Sequence, residues 1–342
     1  MRFLRSNKLI VPLSASALAV CLVSTIHGGD METVQERAWD QLGLDQTQRI
    51  PPTLLFGLIK SAGYEVCLDP NKDPVQEVIK ALHPFADRKG KELYNMEHKA
   101  WLDNIPSAEK QTFLQKISIS DALPNMKKGE RYSTVLFGGF ASRRDTRQTI
   151  VLEATKGLKL DQLNMVLTVT GSRPMDLKRE LEFLKYPHAL KANQQNESFI
   201  FSENKEDFAR SLAVGLDQLH FIDSPIHPEI YKEKQERATT FDNAISLGQF
   251  LKNKMESGLM TENEHIILCL EEPFCLRMGM IIKDILSNYI NNPITVYSGK
   301  TSAQQTSIVN AINQAYMIPK AKQHYLENIE PRLKKYCQKA NK

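Results

Sequence analysis

What most constrains this chain is the pattern beyond Arg131, where short continuous apolar runs alternate with amphipathic stretches. Residues 132–137 (YSTVLF), 164–170 (NMVLTVT), 265–270 (HIILCL) and 294–297 (ITVY) are rich in β-branched and aromatic side chains. Continuous runs of that kind are buried on both faces, which calls for a parallel sheet covered by helices. Helical spacing fills the intervals, at 146–157, 242–257, 275–291 and 302–316. The expected body is an α/β fold, a parallel sheet with helices on both faces. Such sheets bind ligands outside the carboxyl ends of their strands. Here those ends carry Gly138-Gly139, Thr170-Gly171-Ser172, Glu271-Glu272 and Ser298-Gly299. Their convergence is the strongest functional pointer in the pattern.

Upstream, residues 31–125 read as a helical unit. Asp73-Pro74 opens a stretch with apolar residues at 75, 78, 79 and 82, and 93–102 and 108–117 repeat the theme. No Gly-rich loop, metal-ligand spacing or nucleophile elbow appears there, so a cap or adaptor that offers a surface to a protein partner is expected. The polar stretch 124–130 (PNMKKGE) marks the boundary to an α/β domain over 126–320, and 321–342 reads as a helical tail. Residues 9–26 carry no charge and follow Arg2, Arg5 and Lys8. This is the pattern of an export signal or membrane anchor over residues 1–30, its basic end cytoplasmic. The missing A-x-A site after Ile26 favours a retained anchor, and a buried core helix is the plainer alternative. The expected location is periplasmic or on the inner membrane facing the periplasm, or secreted if the segment is cleaved.

Composition removes several classes. Lys+Arg 44 against Asp+Glu 40 leaves +4, too slight an excess to argue for nucleic acid. Five cysteines with no C-x-x-C pair exclude a disulfide-dense scaffold and give no zinc knuckle. Neither G-x-G-x-x-G nor G-x-x-x-x-G-K-[ST] occurs, so no dinucleotide or P-loop site is directly indicated.

The strand ends supply the candidate residues. Gly138 and Gly139 lead into Arg143, Arg144 and Arg147, whose guanidinium groups could clamp phosphate or carboxylate. A solvated helix face with an Arg–Asp145 pair is the alternative. Thr239 or Thr240 suits a helix N-cap, and capping accounts for Asp242 as well. It does not account for Asn243, a poor helix former whose amide can point at a ligand near the helix start. Glu271 and Glu272 are general-base candidates, or else solvated first-turn acids favoured by the helix dipole. Arg277, one turn into the next helix, could reach back to the same place. His220, Asp223 and His227 could be imagined as metal ligands, but Pro225 and Pro228 make the segment read as a loop, and no metal is expected. Cys269 falls inside an apolar run and reads as a small buried hydrophobe, and His83 and His98 as packing residues.

In order, these pieces resemble the YdcF/SanA/ElyC-like family of bacterial proteins. Val135-Leu136-Phe137-Gly138-Gly139 is similar to its first strand end, with Arg147 at the helical arginine. Thr170-Gly171 is similar to the second strand end, Thr240-Phe-Asp-Asn243-Ala244 to its Thr-x-x-Asn-Ala step, and Phe274-Cys275-Leu276-Arg277 to its His-Met-x-Arg turn. The chain departs from the pattern at Cys275, at Glu271-Glu272 in place of Thr-Ser, and at Thr170 in place of Ser. The acid-bearing helix is represented by Glu180 or Glu206. The resemblance spans residues 131–300 and implies a Rossmann-like domain. Anchored members are linked to envelope maintenance, which implies an anionic small molecule or lipid-linked sugar phosphate as ligand. A cytoplasmic member is reported to bind S-adenosylmethionine, so that cofactor is implied too. A non-catalytic adaptor on the same fold is the alternative.

Overall fold

The computed structural model describes residues 28–46, 48–86, 103–117, 121–137, 144–171, 197–235, 238–272, 274–299 and 308–340. Ahead of the sheet come α1 (Gly28–Gln41), α2 (Pro52–Ser61), α3 (Pro74–Ala86) and α4 (Ser107–Ile117). Asp73 caps α3, its carboxylate accepting from the Gln76 amide at 2.8 Å. Then β1 (Tyr132–Phe137), β2 (Leu163–Gly171), β3 (Leu219–Ser224), β4 (His265–Glu271) and β5 (Ile294–Gly299) form one sheet in the order β3-β2-β1-β4-β5. Every pair is parallel. This is a Rossmann-like α/β fold, as the apolar runs and the helices between them require.

The pleat sends alternate residues to two cores. Tyr132, Leu136, Val166, Ile267 and Cys269 pack with Ile150, Val151 and Ala154 of α5 (Arg144–Thr155) and with Phe208 and Leu212 of α6 (Glu197–Leu212). Val135, Phe137, Leu167, Val169, Leu268 and Leu270 face α7 (Thr240–Glu256) and α8 (Cys275–Leu286). The second core runs on through Trp39, Leu55 and Phe113 to Tyr316 and Leu333. It therefore takes in α1–α4 and the last helices, α9 (Ile308–His324), a π-helical turn over Tyr325–Ile329, and α10 (Glu330–Ala340). Asn313 donates to the Ala86 carbonyl at 2.8 Å and Gln76 to Gln323 at 3.0 Å, so α3 and α9 lie antiparallel. The helices of 28–117 and 308–340 are one layer over α7 and α8.

Among the described residues the sheet has five strands where the apolar runs predict four. β3, LHFIDS, lies in the interval expected to be loop. It is an edge strand, with Asp223 exposed and His220 and Phe221 half-buried, so it lacks the continuous apolar run of a central strand. Its lead-in repeats that of β2. Leu-Asp-Gln-Leu occurs at 160–163 and at 216–219, and each copy forms a 3-10 turn into its strand. Gln162 Nε2 donates to the Lys127 and Glu130 carbonyls at 2.7 and 2.8 Å, and Gln218 Nε2 to the Leu163 carbonyl at 2.9 Å. Each glutamine thus ties its own strand to the approach of the neighbouring one.

On the opposite side, Asp121 covers the edge of β5. Its amide donates to the Val296 carbonyl, and its carboxylate accepts from the Val296 amide and from Lys283, all at 2.8–2.9 Å. Pairing of this kind blunts an exposed edge. Among the described residues, no helix is long and apolar enough to cross a membrane. Residues 9–26 and the expected helix at 93–102 lie outside the described residues.

Candidate ligand site at the strand carboxyl ends

Crossovers leave β1 in one direction to β2 and β3 and in the other to β4 and β5. Between β1 and β4 the winding reverses, and in open α/β sheets that is where a crevice forms. The amino termini of α7 and α8 follow β3 and β4 to the same edge, and that end of a helix dipole favours an anion.

The α7 start is built around Asp242. Thr239 is the N-cap, its hydroxyl accepting from the Phe241 amide, and Asp242 closes the capping box by accepting from the Thr239 amide at 2.7 Å. The fully buried carboxylate also accepts from Tyr231 Oη at 2.6 Å, from Thr239 Oγ1 at 2.9 Å and from the His227 amide at 2.7 Å. Burial first, then its bond to Asp242, pushes the Tyr231 phenol well above its ordinary range. This knot pins the segment from His227 to Thr239 onto the helix. Thr240, expected as a candidate ligand residue or cap, is the first residue of α7 and is half-buried.

His227 belongs to the same knot. Its ring lies 3.0 Å from Ser246 Oγ and 3.1 Å from Glu229 Oε1. The connectivity is that of a serine–histidine–acid relay. Ser246, however, is 8 % exposed and sits inside a regular helix rather than on an exposed turn, so the relay reads as a lock between loop and helix. The imagined metal set is not assembled. His220 faces α7, its ring 5.4 Å from that of Phe250, whereas Asp223 points to the other side of β3. Among the described residues no cluster of His, Cys, Asp or Glu could hold a metal ion.

The structure brings together Gly171 and Asn243. A Cβ placed on Gly171 would lie 3.3 Å from Asn243 Oδ1 and 2.9 Å from Ala238 Cβ, so only glycine allows this approach. Asn243 is 8 % exposed, and its Oδ1 is buried with no hydrogen-bond partner. Beside Gly171 in the β2–β3 register stands Ser224, fully buried, whose Oγ likewise has no partner. Sequence reasoning reached Asn243 through its poor fit to a helix. It missed Ser224, because β3 itself went unread.

The remaining candidates divide between the two faces. Thr170 and Glu271 are buried on the α5 side by strand alternation, opposite to Gly171 and Asn243. The Glu272 amide donates to the Gly299 carbonyl at 3.3 Å and the Phe274 amide to Glu271 at 2.9 Å, which forms the turn from β4 into α8. Cys275, at the family-like histidine position, is fully buried and donates to the Ile117 carbonyl. Burial above all, helped by Glu272, pushes its thiol up to about 12, so it offers no nucleophile. Cys269 is fully buried too, as expected. Arg277 does not project freely into the edge: its Nε donates to Gln314 of α9 at 2.7 Å. Glu206 is exposed on α6. Gly138, Gly139, Arg143 and Glu180 lie outside the described residues, as does the side chain of Arg147, whose backbone is in the first turns of α5.

Searches against family models, curated proteins and solved structures all returned no match. The functional reading therefore rests on the residues at the strand ends.

Proposed function

We infer that the protein binds an anionic, hydroxyl-bearing small molecule, such as a sugar phosphate or a lipid-linked sugar phosphate, across the carboxyl ends of its strands. The observation that carries this reading is the β1/β4 reversal, with the starts of α7 and α8 at the same edge. Helix amino termini favour an anion, and Arg143 and Arg147 are the side chains proposed to hold it; Arg277, tied to Gln314 through Nε, would reach it only with its terminal nitrogens. Gly138 and Gly139 let backbone approach the ligand, Gly171 makes room for Asn243, Thr170 and Thr240 flank the ligand, and Asn243 orients it. If the protein is an enzyme, Glu271 or Glu272 is the proposed base. Residues 9–26 support an exported or anchored location, where a lipid-linked precursor of the cell envelope would be met at the membrane surface. The ordered likeness to the YdcF/SanA/ElyC-like family supports the same assignment.

A second reading, S-adenosylmethionine, is favoured by Glu271 and Glu272, since carboxylates accept from ribose hydroxyls and amino groups. A non-catalytic adaptor, with its partner on residues 31–125, would keep its cellular role through Arg147→Ala, Asn243→Ala and Arg277→Ala. Thermal shift of the full chain with inorganic phosphate, glucose 6-phosphate, a polyprenyl phosphate and S-adenosylmethionine tests these readings. A ligand at about 100 times its Kd adds about 2.7 kcal/mol of stability. A shift with a phosphate compound that Arg147→Ala abolishes supports the first reading, a shift with S-adenosylmethionine alone supports the second, and silence across the panel contradicts both.

A further inference from the structure

Two buried oxygens stand without partners at one corner of the sheet. Asn243 Oδ1 lies over Gly171 at the end of β2, and Ser224 Oγ stands on the neighbouring strand beside it. Strand alternation sends Gly171 and Ser224 to the same face, the one covered by α7. Asn243 occupies the first turn of that helix, a seventeen-residue element, and is more than nine-tenths buried. Buried acceptors in native proteins are almost always satisfied, and an apolar residue of similar shape would remove the penalty altogether. What sets Asn243 and Ser224 apart from the other unpartnered buried groups is their place at the strand carboxyl ends, where open α/β sheets take their ligands.

We propose that the β2–β3 corner is the subsite for the hydroxyl end of the ligand. Asn243 Oδ1 takes a hydrogen bond from a sugar hydroxyl, and Ser224 Oγ exchanges one with the same or the adjacent hydroxyl. This rests on the reading of the strand ends as an anionic-ligand site and adds to it which end of the ligand lies where. The anion sits by α8 and the β1/β4 reversal, and the polyol lies toward β2 and β3. Gly171 belongs to the subsite because any side chain there would press on Asn243 and Ala238. Oδ1 is an acceptor, so it favours a sugar hydroxyl over the unprotonated oxygens of an anion.

The test compares inorganic phosphate with glucose 6-phosphate on the full chain, in wild type, Asn243→Leu and Ser224→Ala. In wild type the sugar phosphate is expected to bind at least about tenfold more tightly than phosphate, the scale of one or two hydrogen bonds. In Asn243→Leu that advantage is lost while phosphate binding persists, and the ligand-free protein melts at the same or a higher temperature. Ser224→Ala, a change too small to disturb the fold, loses part of the advantage. Equal binding of the two probes by wild type overturns the subsite and leaves the anion site standing. A lower melting temperature in Asn243→Leu, with the sugar-phosphate preference intact in Ser224→Ala, assigns these oxygens to the fold and overturns the proposal. Binding of neither probe removes the anionic-ligand reading itself.

Discussion

Asp242 accepts hydrogen bonds from four donors, and so it is the side chain whose loss should cost most at the candidate site. Asp242→Ala leaves the His227 amide, the Thr239 amide and the Tyr231 phenol without their acceptor, and about 3 kcal/mol of destabilisation is expected in urea unfolding. Asp242→Asn, which keeps one acceptor, should cost less. The histidines give the pH dependence its sign. Burial is the main cause that lowers His220, His265 and His324 from their ordinary value of 6.5. Below that pH the unfolded chain binds protons that the folded chain does not. Their stabilising contribution is therefore complete above about 6.5 and is lost as pH falls toward the lowered folded values. The melting temperature should drop between pH 7 and 5, and His220→Phe should flatten the slope; an unchanged slope would remove His220 from this account. Thiol labelling offers a second check at this scale. Cys67 is exposed, whereas Cys269 and Cys275 are buried, so peptide mapping should find Cys67 modified in the native protein and the other two only after unfolding.

Secondary structure was legible where burial is two-sided and opaque where it is not. β1, β2 and β4 announce themselves because both faces are buried, β5, an edge strand, through its β-branched and aromatic ITVY run, and α7 because Thr239 and Asp242 stand three apart ahead of a helical run. β3 is an edge strand with a polar outer residue, so its run carries no such mark. The repeated Leu-Asp-Gln-Leu was the available signal, since the same lead-in makes the same turn before β2 and β3. Its glutamines act as ties between strands, and Gln218→Ala should cost about 1 kcal/mol by leaving the Leu163 carbonyl without that donor. Helix packing is equally specific at Gly248. A Cβ there would come within 2.4 Å of the Tyr289 ring, so Gly248→Ala should destabilise by about 1–3 kcal/mol as α7 is forced away. At Gly258, with positive φ and open space around it, strain of the backbone rather than a clash sets the cost.

At the scale of the molecule, the helices before and after the sheet share a single apolar core with α7 and α8. The sequence reading treated them as a cap and a tail, because helical periodicity says which face is apolar but not which element covers it. A shared core predicts that the chain unfolds in one cooperative transition, with tryptophan fluorescence and far-UV circular dichroism coinciding. Two separated transitions would mean that the layers are independent. The site was legible in part for a similar reason. Strand-end residues follow from the fold class, whereas His227 and Tyr231 reach the α7 start only through a three-dimensional knot that spacing does not encode, and Ser224 goes with the unread β3. The most direct test of the central claim, that the carboxyl edge is where this protein meets its ligand, is hydrogen–deuterium exchange of the full chain with and without glucose 6-phosphate. The account predicts new protection in peptides that cover the ends of β1, β2 and β4 and the starts of α7 and α8. Protection confined to the opposite edge, where Leu160, Leu216 and Leu259 are exposed, or no protection anywhere, would contradict it.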